Sequence, residues 1–312
     1  MCKKINIFAP VLFGFYIIAS VLFSRIIYSN RIALPLWLNL IISQCILLIP
    51  ALIYVLVMKI DIIKCIPYRK IKLSDAVSSL LIGYCLVPLV LLINVISSVF
   101  ATNYLNSSTT EISQYPFIIQ LLLMAFLPTI AEEFVFRGLF YHSYRKNGIL
   151  GAAILSGVIF GAIHLNINQF CYACVMGMVF ALMVEITGSM FSSMLAHFAV
   201  NSYSIIMLKL VSMSGISVQS VQTEQASQQI MSQYSGVIIL LQIAILAVTA
   251  IAFISIAYLL FMSMAKRNGR WDYFKLNMKK GLRPQNNEHF ITIPLAATLL
   301  AAAAFMIFQE LA

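Results

Sequence analysis

The sequence predicts an all-α, polytopic membrane protein, a helical bundle of about eight to nine transmembrane helices. Of its 312 residues, 62% are hydrophobic and only 10% are charged, against about 25% charged in an ordinary soluble domain. The mean hydropathy is +0.96. Apolar runs of about 20 residues, the length that crosses a bilayer as a helix, recur along the chain. A soluble domain of this size would need far more surface charge, so the soluble classes are excluded.

Nine apolar runs have the length of a membrane span, and we predict a helix over each. The runs are continuous, which favours helices over the short alternating segments of a β-barrel. An open sheet edge could not be hydrogen-bonded in lipid, so an all-helical architecture follows. The predicted spans are 5–28, 34–58, 75–100, 117–143, 149–165, 168–187, 189–212, 237–263 and 290–310.

The basic residues predict how the chain is oriented. They concentrate in four segments that nine spans place on one side of the membrane: Lys3 with Lys4, 59–72, 145–146 and 264–289. The loops on the other side, 101–116 and 213–236, contain neither Lys nor Arg, although Arg25 and Arg31 depart from the pattern. The positive-inside rule therefore predicts a cytosolic N-terminus. A second interpretation of the basic loops is docking of anionic lipid or an acidic partner. We expect the lipid bilayer, and no nucleic acid, among the partners.

Charged and imidazole side chains lie deep in three of the predicted spans. At mid-bilayer each charge costs about 2.5 to 3.5 kcal/mol on insertion scales, so such residues indicate a functional site. Glu185 and Lys209 lie close to span ends, where we expect a long side chain to reach water. The deep polar residues are Glu132, Glu133, Arg137, His164, His197 and Asn201.

Helix geometry separates the roles of these residues. Glu133 and Arg137 are four residues apart and share a helix face, so we predict a structural ion pair between them. Glu132 is rotated about 100° from its neighbour and has no basic partner at that spacing, which leaves its carboxylate for chemistry. His197 and Asn201 are again four residues apart, so both side chains point into one space.

The turn near Asn147 places two of the spans side by side. Glu132 lies 15 residues before it and His164 lies 17 residues after it, which puts them at similar depth. The G-x-x-x-G step of Gly157 and Gly161 allows close helix approach beside His164. His197 would be shallower by about 9 Å, unless the fourth and fifth helices project past the bilayer at their inner end.

This set of side chains suits the activation of water. A carboxylate and an imidazole can hold one water and take its proton. A second imidazole and a carboxamide can donate hydrogen bonds to the oxyanion of a tetrahedral intermediate. The chemistry is amide or ester hydrolysis without a covalent intermediate, since neither a G-x-S-x-G elbow nor an H-E-x-x-H helix is present. We expect the carboxylate, the imidazoles and the carboxamide to converge on one polar cavity that opens toward the cytosol.

Three motifs stand in these spans: E-E-x-x-x-R at Glu132, Glu133 and Arg137, F-x-x-x-H at Phe160 and His164, and H-x-x-x-N at His197 and Asn201. In this order they resemble a known family, the CAAX protease and bacteriocin-processing (CPBP) membrane proteins, which includes the type II CAAX prenyl endopeptidases. With Thr187-Gly188-Ser189, the resemblance covers about 117–205, and neither the first 116 residues nor those past 205 carry a motif of the family.

The resemblance implies an intramembrane endopeptidase of the glutamate type that uses no metal or other cofactor. It implies Glu132 as the base together with His164, and His197 with Asn201 at the oxyanion. Phe160, Glu133 and Arg137 are then supporting residues. Its substrate would be a membrane-associated peptide or protein. Bacterial relatives are associated with peptide or bacteriocin processing, self-immunity and regulation, and we expect a multi-pass protein of the bacterial plasma membrane.

The motifs divide the chain into three parts. Residues 1–116 are predicted as N-terminal transmembrane helices and 117–212 as the catalytic core. Residues 213–312 are predicted to hold an extracytosolic loop, two C-terminal transmembrane helices and a basic cytosolic loop between them.

Three other interpretations stay open at this point. The first is a nonenzymatic membrane scaffold or immunity protein of the same fold, which would tolerate loss of the four polar residues that are all present here. The second is a zinc peptidase with His164, His197 and a glutamate as ligands. The third is a transporter that uses Glu132 and His164 as a proton relay, although the chain shows no internal repeat.

Overall fold

The computed structural model describes residues 2–62, 67–101, 112–214, 236–282 and 289–311. Within these ranges the chain forms ten helices and no strand, which confirms the all-α prediction. The helices are α1 (Cys2–Ser29), α2 (Leu36–Val57), α3 (Leu73–Ser97), α4 (Phe117–Asn147), α5 (Ile149–Ala162), α6 (Ile167–Thr187), α7 (Met190–Met213), α8 (Gly236–Arg267), α9 (Trp271–Lys279) and α10 (Ile293–Leu311).

Eight of the described helices are long and apolar enough to cross a membrane, so the chain is a multi-pass integral membrane protein. The prediction of nine spans is wrong at the fifth, 149–165. Helix α5 has only 14 residues and is about 21 Å long at 1.5 Å per residue, which is short of the roughly 30 Å hydrocarbon core. Helix α9 is a short helix that the sequence analysis left inside a basic loop.

The chain reverses directly after α5, and this turn is what shortens the helix. Leu165 has a φ of 53°, a left-handed conformation that non-glycine residues rarely adopt. Asn166 then caps α6, because its side chain accepts a hydrogen bond from the backbone N–H of Gln169 at 2.9 Å. His164 therefore lies in the turn between α5 and α6 and not within a helix.

Helices α5 and α6 pack closely against each other. A Cβ atom added to Gly157 would lie 2.6 Å from the carbonyl oxygen of Cys174, and one added to Gly161 would lie 2.5 Å from Cys174 Sγ. On the opposing helix, Gly177 lies against Gly157 in the same way. The G-x-x-x-G step thus gives the close approach that its spacing predicts, and α6 is its partner. Around this pair, α3 packs against α7 and α8, and α1 packs against α2 and α10.

The four basic segments meet at one end of the bundle. Lys72 Nζ donates to the backbone oxygen of Arg267 at 3.1 Å, and Arg145 and Arg270 both contact Glu185. The start of α1 packs on the last turns of α4. That this end faces the cytosol stays a prediction. Parts of the predicted loops, at 63–66, 102–111, 215–235 and 283–288, lie outside the described residues.

Glu185 does not reach water, and the expectation that it does is wrong. Its side chain is fully buried, and Arg145 binds both carboxylate oxygens, with Nε and Nη2 at 2.9 and 2.7 Å. The hydroxyl of Tyr141 donates to the same carboxylate at 2.8 Å. A bidentate guanidinium and a hydroxyl satisfy the carboxylate inside the protein, so no outward path is needed. Lys209, the other residue expected to reach water, is exposed.

Candidate active site

The two adjacent glutamates lie in a short α-helical stretch of α4 between two π-helical segments. Leu127–Glu133 is α-helical, whereas Leu122–Phe126 and Phe134–Tyr141 are π-helical. Such wide turns are rare and are frequent at functional sites. The wide turn leaves the Phe136 carbonyl oxygen to accept a hydrogen bond from Ser156 of α5 at 2.9 Å. The local geometry of α4 is therefore held by its neighbour, and it changes directly after the glutamates.

Glu133 is completely buried and has two partners. Its Oε1 lies 3.0 Å from Nη1 of Arg137, the ion pair that the spacing predicts. The same oxygen lies 2.9 Å from Nδ1 of His197 on α7, a contact that the sequence analysis missed. Glu133 thus links the charged residues of α4 to the imidazole of α7. A buried charge with two such partners is far less costly than an isolated one.

Arg137 lies between two aromatic rings. Its guanidinium carbon is 4.5 Å from the centre of the Phe160 ring and 5.2 Å from that of Phe180, so the cation lies over two π-systems. Phe160 is the aromatic residue of the F-x-x-x-H motif. Phe180, on α6, belongs to no motif, and no sequence signal identified it.

The His197 ring is fixed in orientation by its surroundings. It stacks on Phe180 with centroids 5.0 Å apart and meets Phe160 edge-on at 5.7 Å. With Nδ1 directed at Glu133, Nε2 points the other way and lies 3.6 Å from Oε2 of Glu132. Nδ1 of His197 therefore faces Glu133, and Nε2 faces Glu132. A carboxylate on one ring nitrogen sets the tautomer and leaves the other nitrogen for chemistry.

His164 approaches the same aromatic ring from the turn after α5. Its ring is edge-on to Phe160 with centroids 5.2 Å apart, and its Nδ1 lies 2.8 Å from the Phe160 carbonyl oxygen. A carbonyl can only accept, so Nδ1 carries the proton and Nε2 presents a lone pair. The Phe160 ring therefore contacts both imidazoles, that of His164 and that of His197.

Accessibility divides the predicted site residues into two groups. Glu133 and Arg137 are sealed, with no exposed side-chain surface. The Glu132 side chain is 14% exposed, and His164 and Asn201 are half-buried. Among the described residues, the Asn201 side chain takes part in no hydrogen bond. The accessible side chains are three of the four that are predicted to meet substrate, and the fourth, His197, is buried. That one cavity joins them stays a prediction.

Two tyrosines also lie near Glu132 and were not anticipated. Tyr16 of α1 and Tyr172 of α6 are both within range of its charge. Ser193, one turn before His197 on α7, is buried beside Glu133. Because Tyr16 lies outside every motif, the N-terminal helices contribute to the surroundings of the site.

The described residues contain no group of three His, Cys, Asp or Glu side chains arranged to hold a metal ion. His197 directs its nitrogens at two glutamates, and His164 has one nitrogen on a backbone carbonyl. The independence of the reaction from metal stays a prediction.

Comparison with known proteins matches the segment that contains these residues. Residues 114–203 match one family model. It is the model of the type II CAAX prenyl endopeptidases, Rce1-like. The match confirms the resemblance over this segment, which holds α4 to α7 up to Tyr203 and includes all the motif residues. The Rce1-like segment is less than a third of the chain.

One curated relative supports the same interpretation. The Bacillus subtilis (strain 168) protein named "Putative membrane peptidase YdiL" is 27% identical over 90 residues. The alignment covers 28% of this chain and 37% of that protein, so the two are alike over a core and not over their lengths. No solved structure gives a significant match to the chain.

Proposed function

We propose that the protein is an intramembrane endopeptidase that hydrolyses a peptide bond of a membrane-associated peptide or protein. The observation that carries the proposal is the position of His197 between two glutamates. Glu133 holds Nδ1 at 2.9 Å, and Glu132 lies 3.6 Å from Nε2 with access from outside. The Rce1-like match over 114–203 supports the assignment to a protease family.

In the proposed reaction Glu132 is the base. It removes a proton from a water that His164 Nε2 also contacts, and the water oxygen attacks the carbonyl carbon of the scissile bond. The carbonyl oxygen becomes an oxyanion. When the C–N bond breaks, the proton held by Glu132 passes to the leaving amine. No acyl-enzyme forms. The products are a carboxylic acid and an amine, which become a carboxylate and an ammonium once the acid gives up its proton.

Oxyanion stabilisation falls to His197 and Asn201. Glu133 accepts the Nδ1 hydrogen of His197, so a second hydrogen on Nε2 makes the ring an imidazolium that can donate to the oxyanion. The buried Glu133 carboxylate stabilises that imidazolium, while Arg137 balances the charge of the carboxylate. Asn201 is one turn further along α7 and supplies a neutral donor from the same face.

The 3.6 Å separation of Glu132 and His197 has a consequence for substrate binding. In the reaction Oε2 has to accept from the attacking water and Nε2 has to donate to the oxyanion, and two hydrogen bonds end to end span about 5 to 6 Å. The two side chains must therefore separate when water and substrate enter, and contacts that are long or misaligned in the free enzyme commonly adjust in this way. In the substrate-free state the contact keeps the base and the oxyanion donor in register.

The biological context is proposed at the level of the family. Processing of peptides or bacteriocins, self-immunity and regulation all use cleavage of a membrane-associated chain, and we propose one of these roles. The competing function is a nonenzymatic membrane scaffold or immunity protein of the same fold.

A cleavage assay separates the two. The purified protein, reconstituted in vesicles, is incubated with a library of membrane-associated peptides, and new termini are identified by mass spectrometry. We expect internal cleavage by the wild-type protein and by Asp272→Asn, a matched loss of one acid at an exposed position. We expect no cleavage by Glu132→Gln. Absence of cleavage by all three, or equal cleavage by all three, contradicts the proposal.

A further inference from the structure

Helix α9 is held against the basic end of the bundle. Arg270, directly before it, donates to the backbone oxygen of Glu185 at 2.8 Å. Phe274 is buried and meets Phe261 of α8 with ring centroids 5.4 Å apart, and Asn277 is buried on the same face. The helix is therefore fixed against the ends of α6 and α8, where two membrane spans stop.

The exposed surface of α9 has two separate stripes. Tyr273 and Leu276, three residues apart, are 48% and 59% exposed and form an apolar stripe. Lys275 and Lys279, four residues apart, are exposed and form a charged stripe. At 100° per residue the buried, apolar and charged faces occupy three different sectors of the helix. A helix that faced only water or only protein would not need three such faces.

The positive charge of α9 that no acidic side chain balances lies toward the end of the helix. Lys275 Nζ is 2.8 Å from Oδ1 of Asp272, and its hydrogen bond and charge hold the pKa of Asp272 below the usual range. Asp272 therefore stays ionised at neutral pH and balances Lys275. Lys279 and Lys280, both exposed, have no such acid beside them in the described part of the chain.

We propose that α9 is an interfacial helix that binds the anionic phospholipid surface at the basic end of the bundle. Its Tyr273–Leu276 stripe enters the boundary between headgroups and acyl chains, and Lys279 and Lys280 contact lipid phosphates. Basic helices with an apolar face and an aromatic residue lie in the membrane interface in this way. An acidic protein partner would explain the lysines, but it would not explain an exposed apolar stripe beside the ends of two spans.

The chain offers a clean reporter for this proposal. It contains two tryptophans, Trp37 at the start of α2 and Trp271, which stacks on the buried Phe274, on the side of α9 away from the apolar stripe. Replacing both by Phe and making Tyr273→Trp places the sole indole in the stripe. The protein is reconstituted in vesicles of phosphatidylcholine and phosphatidylglycerol in which one lipid at a time carries bromine, a fluorescence quencher. Bromine placed near the headgroups should quench this indole more than bromine placed deep in the chains.

Lipid charge gives the decisive comparison. We expect brominated phosphatidylglycerol to be enriched at least about fivefold over brominated phosphatidylcholine around this indole, since one lysine near a charged surface already supplies about that factor. Lys279→Gln with Lys280→Gln should remove the enrichment. The matched control, Arg69→Gln with Lys70→Gln, removes the same charge from another exposed segment at this end and should leave it intact.

Quenching is measured without protease activity. The lipid-binding proposal can therefore fail while the proposed function stands, and the proposed function can fail while the lipid-binding proposal stands. Equal quenching by both lipids, or enrichment that survives loss of Lys279 and Lys280, overturns the proposal. No quenching by either lipid, together with a spectral shift of the indole on adding polyglutamate, would assign the surface to an acidic protein instead.

Discussion

His197 and Glu133 are joined by a 2.9 Å contact between Nδ1 and Oε1, across 64 residues of chain and two helices. This contact changes the role of the second glutamate. Glu133 neutralises Arg137, and it also sets which nitrogen of His197 faces Glu132. The pair of adjacent glutamates therefore divides into one that is accessible and one that orients the imidazole.

Replacement of Glu133 tests this division. Glu133→Gln leaves Arg137 buried without a counter-ion, and breaking a buried pair from one side typically costs about 3 to 5 kcal/mol. We expect a lower midpoint of thermal unfolding in detergent and a loss of cleavage, because His197 also loses its anionic partner.

The double variant Glu133→Gln with Arg137→Gln separates stability from orientation. Removing both charges should recover part of the unfolding midpoint, because no unpaired charge remains buried. Cleavage should stay low, since a neutral amide at this position cannot stabilise an imidazolium as the carboxylate does. Recovery of cleavage in parallel with stability would show that Glu133 acts only through Arg137.

Local spacing was sufficient to predict part of this site. The ion pair of Glu133 and Arg137 follows from their spacing of four residues, and the pairing of His197 with Asn201 on one face follows in the same way. The contact of Glu133 with His197 joins two helices whose relative rotation depends on packing, so no spacing rule reveals it. The π-helical segments beside the glutamates also change the turn from the regular 100° per residue, which a sequence pattern does not show.

Glu185 provides a test of stability at the opposite end of α6. Its buried carboxylate receives Arg145 through both oxygens and also the Tyr141 hydroxyl. Glu185→Gln should lower the free energy of unfolding by about 1 to 3 kcal/mol, less than for a fully buried pair because the Arg145 side chain is 32% exposed. The measurement is denaturant unfolding in mixed micelles. Asp272→Asn, which removes an exposed acid, should leave the unfolding curve unchanged. A Glu185→Gln curve that overlays the wild type would mean that the contacts of Arg145 and Tyr141 with this carboxylate do not stabilise the fold.

The close packing of α5 and α6 depends on glycine. Gly157→Val would place side-chain atoms within the space of the Cys174 carbonyl oxygen and should cost about 1 to 3 kcal/mol. It should also lower the cleavage rate, because α5 leads into the turn that carries His164. Gly14 of α1 has nothing within 4 Å of an added Cβ, so Gly14→Ala should be neutral or slightly stabilising. Equal effects of the two changes would contradict this packing.

Span prediction from hydropathy was correct for eight helices and wrong for one. The run 149–165 is apolar throughout, but α5 stops at Ala162 because the chain turns at Leu165 and Asn166 caps the next helix. Hydropathy measures composition and does not register a turn. The expectation that Glu185 reaches water was wrong for a related reason. Its position near the end of the span suggested access to water, whereas Arg145 from another helix lies over it.

Independence from metal is tested by chelation. We expect 1,10-phenanthroline and EDTA to leave the cleavage rate unchanged, and elemental analysis of the purified protein to find no stoichiometric zinc. The physical reason is that His197 has a glutamate at each nitrogen and that His164 has one nitrogen on a carbonyl. Loss of cleavage on chelation that zinc alone restores would favour a zinc peptidase with His164, His197 and a glutamate as ligands.

The most direct test of the account compares the rate of cleavage by Glu132→Gln with that of the wild-type protein, on one peptide substrate in the same vesicles. General base catalysis typically contributes about 10²- to 10⁴-fold, so the account predicts a loss of at least about 100-fold. The unfolding midpoint should stay close to that of the wild type, because Glu132 is partly exposed and amide and carboxylate have the same shape. Wild-type turnover by a folded Glu132→Gln protein would contradict the assignment of Glu132 as the base.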